Sequence, residues 1–147
     1  MNKINLITHE FFPKRGGAGS VVEELASAAS SIGKSVRVLV PENDTAQEWP
    51  FTVQAIPNSG SHSFCSCLKT YSSMRRLQAE FKDSVVHLAE PGPILACIYA
   101  QLTGFVPVFG KLILTFHGSE ILRFSRRTDQ RSLLQKFIKY ADKLHFL

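Results

Sequence analysis

Short apolar runs alternate along the chain with longer stretches of helical periodicity. Ile4, Leu6 and Ile7 make the first run, and a strand is expected over 3–8. Val21, Val22, Leu25, Ala28, Ala29 and Ile32 then recur at helical spacing, predicting a helix over 18–32 that Gly33 ends. Residues 36–40 form a second strand, stopped by Pro41. A polar stretch leads to a third strand over 51–56, whose weaker alternation and following Pro57 suit a sheet edge. Phe64, Leu68, Tyr71, Met74, Leu77 and Phe81 lie on one stripe, predicting a helix over 63–81 with Lys69, Arg75, Arg76 and Lys82 mostly off it. A fourth strand is expected over 85–88, an apolar helix from Ile94, and a fifth strand over 112–116. A loop over 121–129, a helix over 130–141 and a sixth strand over 143–147 complete the pattern. Regular alternation of strand and helix predicts a doubly wound parallel α/β sheet, Rossmann-like, in one domain spanning 1–147.

The stretch from Ile4 to Gly19 carries the first chemical suggestion. A strand, a loop holding Gly16, Gly17 and Gly19, and a helix start follow one another. Unpaired N–H groups and the positive end of the helix dipole make such a loop an anion site. The alternative is a tight turn that only packs helix on strand. Two nucleotide motifs fail here. The dinucleotide fingerprint needs glycine where Val22 stands, which disfavours NAD, and Gly33-Lys34-Ser35 precedes a strand where a P-loop needs a helix.

In a parallel sheet, ligands lie beyond the carboxyl ends of the strands. Three strands end in histidine and acid: His9-Glu10, His87 with Glu90, and His117 with Glu120. All three pairs are expected on the rim that holds the glycine loop. A single such histidine is ordinarily a satisfied hydrogen-bonding residue, and the spacing is no metal motif, so a zinc enzyme is not expected.

Composition narrows the classes. A chain of 147 residues buries roughly 70% of its unfolded surface. The net charge of +5 suits an anionic ligand or an anionic membrane surface and gives little support to a nucleic-acid partner. Cys65, Cys67 and Cys97 are odd in number and read as reduced thiols of a cytoplasmic protein. His62 with Cys65 and Cys67 matches no common zinc pattern. The opening strand pattern leaves no room for a signal peptide at the start of this sequence. Residues 91–110 carry no charge, but Pro and Gly punctuate them, so a buried helix with a connecting loop is expected before a membrane span.

At Leu112-Ile113-Leu114-Thr115-Phe116-His117-Gly118-Ser119-Glu120 the chain resembles the T-x-H-G-x-[DE] segment of retaining glycosyltransferases of the family-four type. Val85-Val86-His87 resembles that family's D-[VI]-[VI]-H segment, with Ser84 where Asp is commoner, and Ala141-Asp142 resembles the A-D before its next strand. The glycine loop after Pro13 fits the family's opening, so the resemblance covers essentially the whole chain. It implies the N-terminal, acceptor-side half of a GT-B fold, acting on a nucleotide-sugar donor and a glycan or lipid-linked acceptor, with no metal or other cofactor.

By the same resemblance, Gly16, Gly17 and Gly19 approach the donor diphosphate and His117 lies at the reacting sugar. Gly118, Ser119, Glu120, His87 and Glu90 are positioning candidates on the acceptor side. Arg123, Arg126 and Arg127 are candidates for contact with acceptor phosphate or the inner face of a membrane, or are simply a solvated basic loop. The family's donor domain, with its E-x7-E motif, has no counterpart in these residues. The expectation is therefore an N-terminal fragment, inactive alone, with an exposed strand edge. A non-catalytic binding module is the alternative, and a nucleotide-dependent oxidoreductase or epimerase a more distant one.

Overall fold

A computed structural model describes residues 1–13, 16–42, 47–105 and 107–147, with the backbone alone at 119–121. Six strands form one sheet: β1 (Lys3–Ile7), β2 (Ser35–Pro41), β3 (Thr52–Ile56), β4 (Val85–Leu88), β5 (Lys111–Phe116) and β6 (Lys143–Phe146). Their spatial order is β3-β2-β1-β4-β5-β6, and every neighbouring pair is parallel. The sheet is doubly wound as expected, with β3 at one edge and β6 at the other. The winding reverses between β1 and β4, where Leu6 pairs with Val38 on one side and His87 on the other.

Side-chain alternation divides the strands between two cores. Leu6, Val36, Val38 and Val40 meet Val22 and Ala26 of α1 (Gly17–Ser31) on one face. Ile7, Leu39, Val86, Leu88, Leu112 and Leu114 face the larger core, made with α2 (Phe64–Arg76), α4 (Pro91–Ala100) and α6 (Thr128–Phe137). Gly33 takes φ +79 just after α1, the left-handed conformation that lets a helix end without steric cost.

The helices depart from expectation at three places. The helix expected over 63–81 breaks at Leu77 into α2 and the short α3 (Gln78–Phe81), with Phe81 wholly buried. Residues 118–126, expected as mostly loop, form α5 (Gly118–Arg126). Phe124 anchors it in the core at 3% exposure, while Arg123 and Arg126 sit in its last turn, where cations suit the helix dipole. The apolar helix starts at Pro91 rather than Ile94, because Pro needs no N–H in a first turn and Glu90 caps it.

Along α4, Pro91 to Ile98 and Ala100 are all buried, so it is enclosed on every side rather than amphipathic. This accounts for the uncharged stretch without a bilayer: no described helix is long and apolar enough to cross a membrane. All four residues of β6 are exposed, and Phe146 stacks on Phe116 with ring centroids 5.6 Å apart. The three thiols are free.

Candidate functional site at the carboxyl rim

The polar residues at the carboxyl ends of β1, β4 and β5 converge on the reversal between β1 and β4. Glu90 is the hub. It follows β4, has no exposed surface, and caps α4 by accepting the Gly92 N–H at Oε2, 2.9 Å away. Its Oε1 accepts the His9 backbone N–H at 2.7 Å, tying the second residue after β1 to the residue before α4. Its Oε2 also meets His62 Nε2 at 3.1 Å. His62 comes from the segment between β3 and α2, which lies against His9: a Cβ on Gly60, at φ +71, would be 2.8 Å from the His9 carbonyl oxygen.

Burial and partners shift the two imidazoles in opposite directions. Burial pushes the His9 pKa down from its ordinary value, against the pull of Glu90. Donation to the Glu90 carboxylate pushes that of His62 up, against burial and the Arg123 guanidinium. Burial alone would raise the Glu90 pKa, but His62, His9 and the Gly92 and His9 N–H groups outweigh it and hold the carboxyl below its usual range. Arg123 is exposed but close enough for its charge to act on His62, whereas Arg127 pairs with Asp129 at 3.3 Å on the surface.

His117 lies on this rim. Its Nε2–H donates to the Ala89 carbonyl at 3.0 Å, next to the Glu90 hub. Gly118 begins α5 directly after it. The side chains of Ser119 and Glu120 lie outside the described residues. His87 is not on the rim. It sits within β4 on the face opposite Val86 and Leu88, where its Nε2 meets Thr115 Oγ1 at 2.6 Å, and Thr115 Oγ1 lies 3.4 Å from His145 Nδ1. One strand position back from the terminus is enough to turn a rim residue into a sheet-face residue.

Burial, with a smaller contribution from His145, lowers the His87 pKa from 6.5 to about 4. Above pH 6.5 the imidazole is neutral in both folded and unfolded chains and costs nothing. Below it the unfolded chain takes up the proton first, so stability falls between pH 6.5 and about 4, by up to about 3 kcal/mol. Urea titrations of the wild type and His87→Gln should give stabilities that diverge across this window. Parallel curves would refute a buried neutral His87.

The glycine loop is shaped largely by its own chain. A Cβ on Gly16 would fall 2.1 Å from Glu10 Oε2, and one on Gly19 3.0 Å from the Glu10 carbonyl oxygen. Those two glycines admit Glu10, while Gly17 has open space around its Cβ position. Gly16 stands at the N-terminus of α1 with no side-chain cap. The site residues that sequence reasoning passed over are His9 as a partner of Glu90, and His62. A signal for the latter was present in Asn58-x-Gly60, a turn pattern directly before the Ser63 helix cap.

A doubly wound parallel sheet with a polar crevice at the winding reversal defines an α/β domain of the Rossmann-like class. The family described as Glycosyltransferase Family 4 matches residues 15–146, nearly the whole chain, and the protein belongs to that family. No curated protein matches it.

Proposed function

We propose that this domain is the acceptor-side half of a retaining GT-B glycosyltransferase, which moves a sugar from a nucleotide-sugar donor to a glycan or lipid-linked acceptor. The observation that carries the reading is the His117 imidazole, fixed by the Ala89 carbonyl at 3.0 Å beside the winding reversal. In this reading His117 contacts the reacting sugar and Gly17 admits the donor diphosphate. Arg123 supplies positive charge for a phosphate in the crevice, and charge developing on the leaving group is met by fixed dipoles and basic side chains without a metal. Glu90 positions the rim and does not touch substrate, since it has no exposed surface.

The test begins with the mass of the native polypeptide in its source cells, probed with an antibody to this domain. The native species is then assayed for sugar transfer from a panel of nucleotide sugars. His117→Ala should lower turnover about 100-fold or more, the scale of losing one group that acts in the transition state. Transfer by the His117→Ala protein at the wild-type rate would defeat this assignment. A native polypeptide of 16.4 kDa without transfer activity would favour the non-catalytic binding module instead.

A further inference from the structure

We propose that His9, His62 and Glu90 together bind a zinc ion, through His9 Nδ1, His62 Nε2 and the Glu90 carboxylate. The first observation is the donor set. Two imidazoles and one carboxylate, each offering one atom, lie with those atoms within 4.8 Å of one another. Two nitrogens and one carboxylate oxygen form an established protein set for zinc with an open fourth position. His62 Nε2 and Glu90 Oε2, at 3.1 Å, are already close to the roughly 3.4 Å that separates neighbouring ligands around a tetrahedral zinc.

The second observation is the state of His9. Its Nε2 lies 2.7 Å from Thr70 Oγ1 and its Nδ1 3.0 Å from the Ser61 carbonyl oxygen. Without an ion, Nδ1–H donates to the Ser61 carbonyl, which can only accept, and Nε2 accepts from the Thr70 hydroxyl; zinc at Nδ1 takes the other tautomer, whose Nε2–H donates to the threonine instead. A hydrogen bond on the far nitrogen is the usual way a ligating imidazole is oriented. Nδ1 is also the atom on the Glu90 side, since a Cβ on Gly92 would fall 2.3 Å from it and 2.8 Å from Glu90 Oε1. The Ser61 carbonyl then gives up its hydrogen bond and stands beside the ion.

The third is charge and access. Glu90 has no exposed surface, and buried carboxylates are paired or bound to metals. Among the described residues its ion-pair partner is His62, which is charged only when protonated. The His62 side chain is 24% exposed, so the cluster has an opening to solvent on the side of its most movable ligand. An ion there would pin the segment carrying Gly60 to His62 against the ends of β1 and β4. It is separate from sugar transfer, which in the reading above needs no metal.

The exposed thiol of Cys65 lies close in sequence and is the obvious rival for a soft metal. The experiment is therefore done on the full chain after chelator treatment, with zinc titrated by calorimetry and cobalt(II) substituted as a spectroscopic probe. Expected are visible cobalt d–d bands of a four- or five-coordinate ion without a thiolate charge-transfer band. His62→Ala should weaken zinc binding by at least 10-fold, no less than second-shell changes cost, and Cys65→Ser should leave it unchanged. His62 is only partly buried and lies outside both hydrophobic clusters, so its removal leaves the buried core intact. Absence of zinc binding, full affinity in His62→Ala, or weakened binding in Cys65→Ser would each overturn the proposal.

Discussion

Glu90→Ala is expected to lower folding stability by about 3–5 kcal/mol. The carboxylate accepts the backbone N–H groups of His9 and Gly92, and both lose their acceptor. Each buried unsatisfied donor costs about 1–3 kcal/mol, so the two, of which the Gly92 N–H is also the lost helix cap, together centre on about 4 kcal/mol. The effect joins distant parts of the chain, because the His9 contact spans 81 residues and the Gly92 contact only two. Glu90→Gln keeps one acceptor oxygen and should fall between alanine and wild type. Urea denaturation at neutral pH measures both variants. A loss below about 1 kcal/mol for Glu90→Ala would mean that water replaces the carboxylate, and that this cluster does not hold the β1 and β4 ends together.

Gly92→Ala gives the second large effect, with a sign that separates two physical accounts. Gly92 is the second residue of α4, and helix propensity alone predicts a gain approaching 1 kcal/mol on replacing glycine by alanine. Packing predicts the reverse. The new Cβ would lie 2.3 Å from His9 Nδ1, 2.5 Å from His9 Cγ and 2.8 Å from Glu90 Oε1. His9 is 3% exposed and held at both ring nitrogens, so it has little room to yield. A loss of about 3 kcal/mol is expected, at the upper end of ordinary overpacking. In a His9→Ala background the penalty should shrink by more than half, since the obstructing ring is gone; a double-mutant cycle by urea denaturation reads this coupling. A stabilised Gly92→Ala protein would show that His9 is not seated against α4.

The fold was legible because strand and helix periods differ and the chain obeys both. Val36, Val38 and Val40 point to the α1 core while Leu39 points to the other, and a segment apolar at 36, 38, 39 and 40, broken only by Arg37, is what such two-sided burial looks like in sequence. The weak alternation of 51–56 likewise marked β3 as an edge. The break at Leu77 was hidden because Leu77 and Phe81 continue the apolar stripe across it. The helix from Gly118 was hidden for the opposite reason. Among its described side chains only Phe124 is buried, too little for a periodic signal among three arginines in 121–127.

Placement at the rim was legible only where residues follow strand ends directly. His117 and Glu90 lie there because β5 and β4 deliver them to it. His87 was misplaced because a strand terminus cannot be fixed to one residue from pattern alone, and one residue decides between rim and sheet face. His62 was missed as a partner of Glu90 because they are 28 residues apart on different elements. Gly16 and Gly19 were read for what a ligand would need, and their closest neighbour proved to be Glu10 of the same loop.

The position of β1 in the sheet has a consequence for how the chain is made. Ile4 to Ile7 pair with Val36 to Leu39 on one side and Val85 to Leu88 on the other. At roughly 5–20 residues per second on a ribosome, the second partner emerges some 4–16 s after β1. For that interval one edge of β1 is an unpaired ladder with Leu6 and Ile7 beside it, a ready target for another nascent chain. The enclosed helix α4 emerges later still and finds its full surroundings only when α6 arrives. Holdase chaperones should therefore meet this protein early, at the β1–α1–β2 unit, and release it once residues 85–137 have been made.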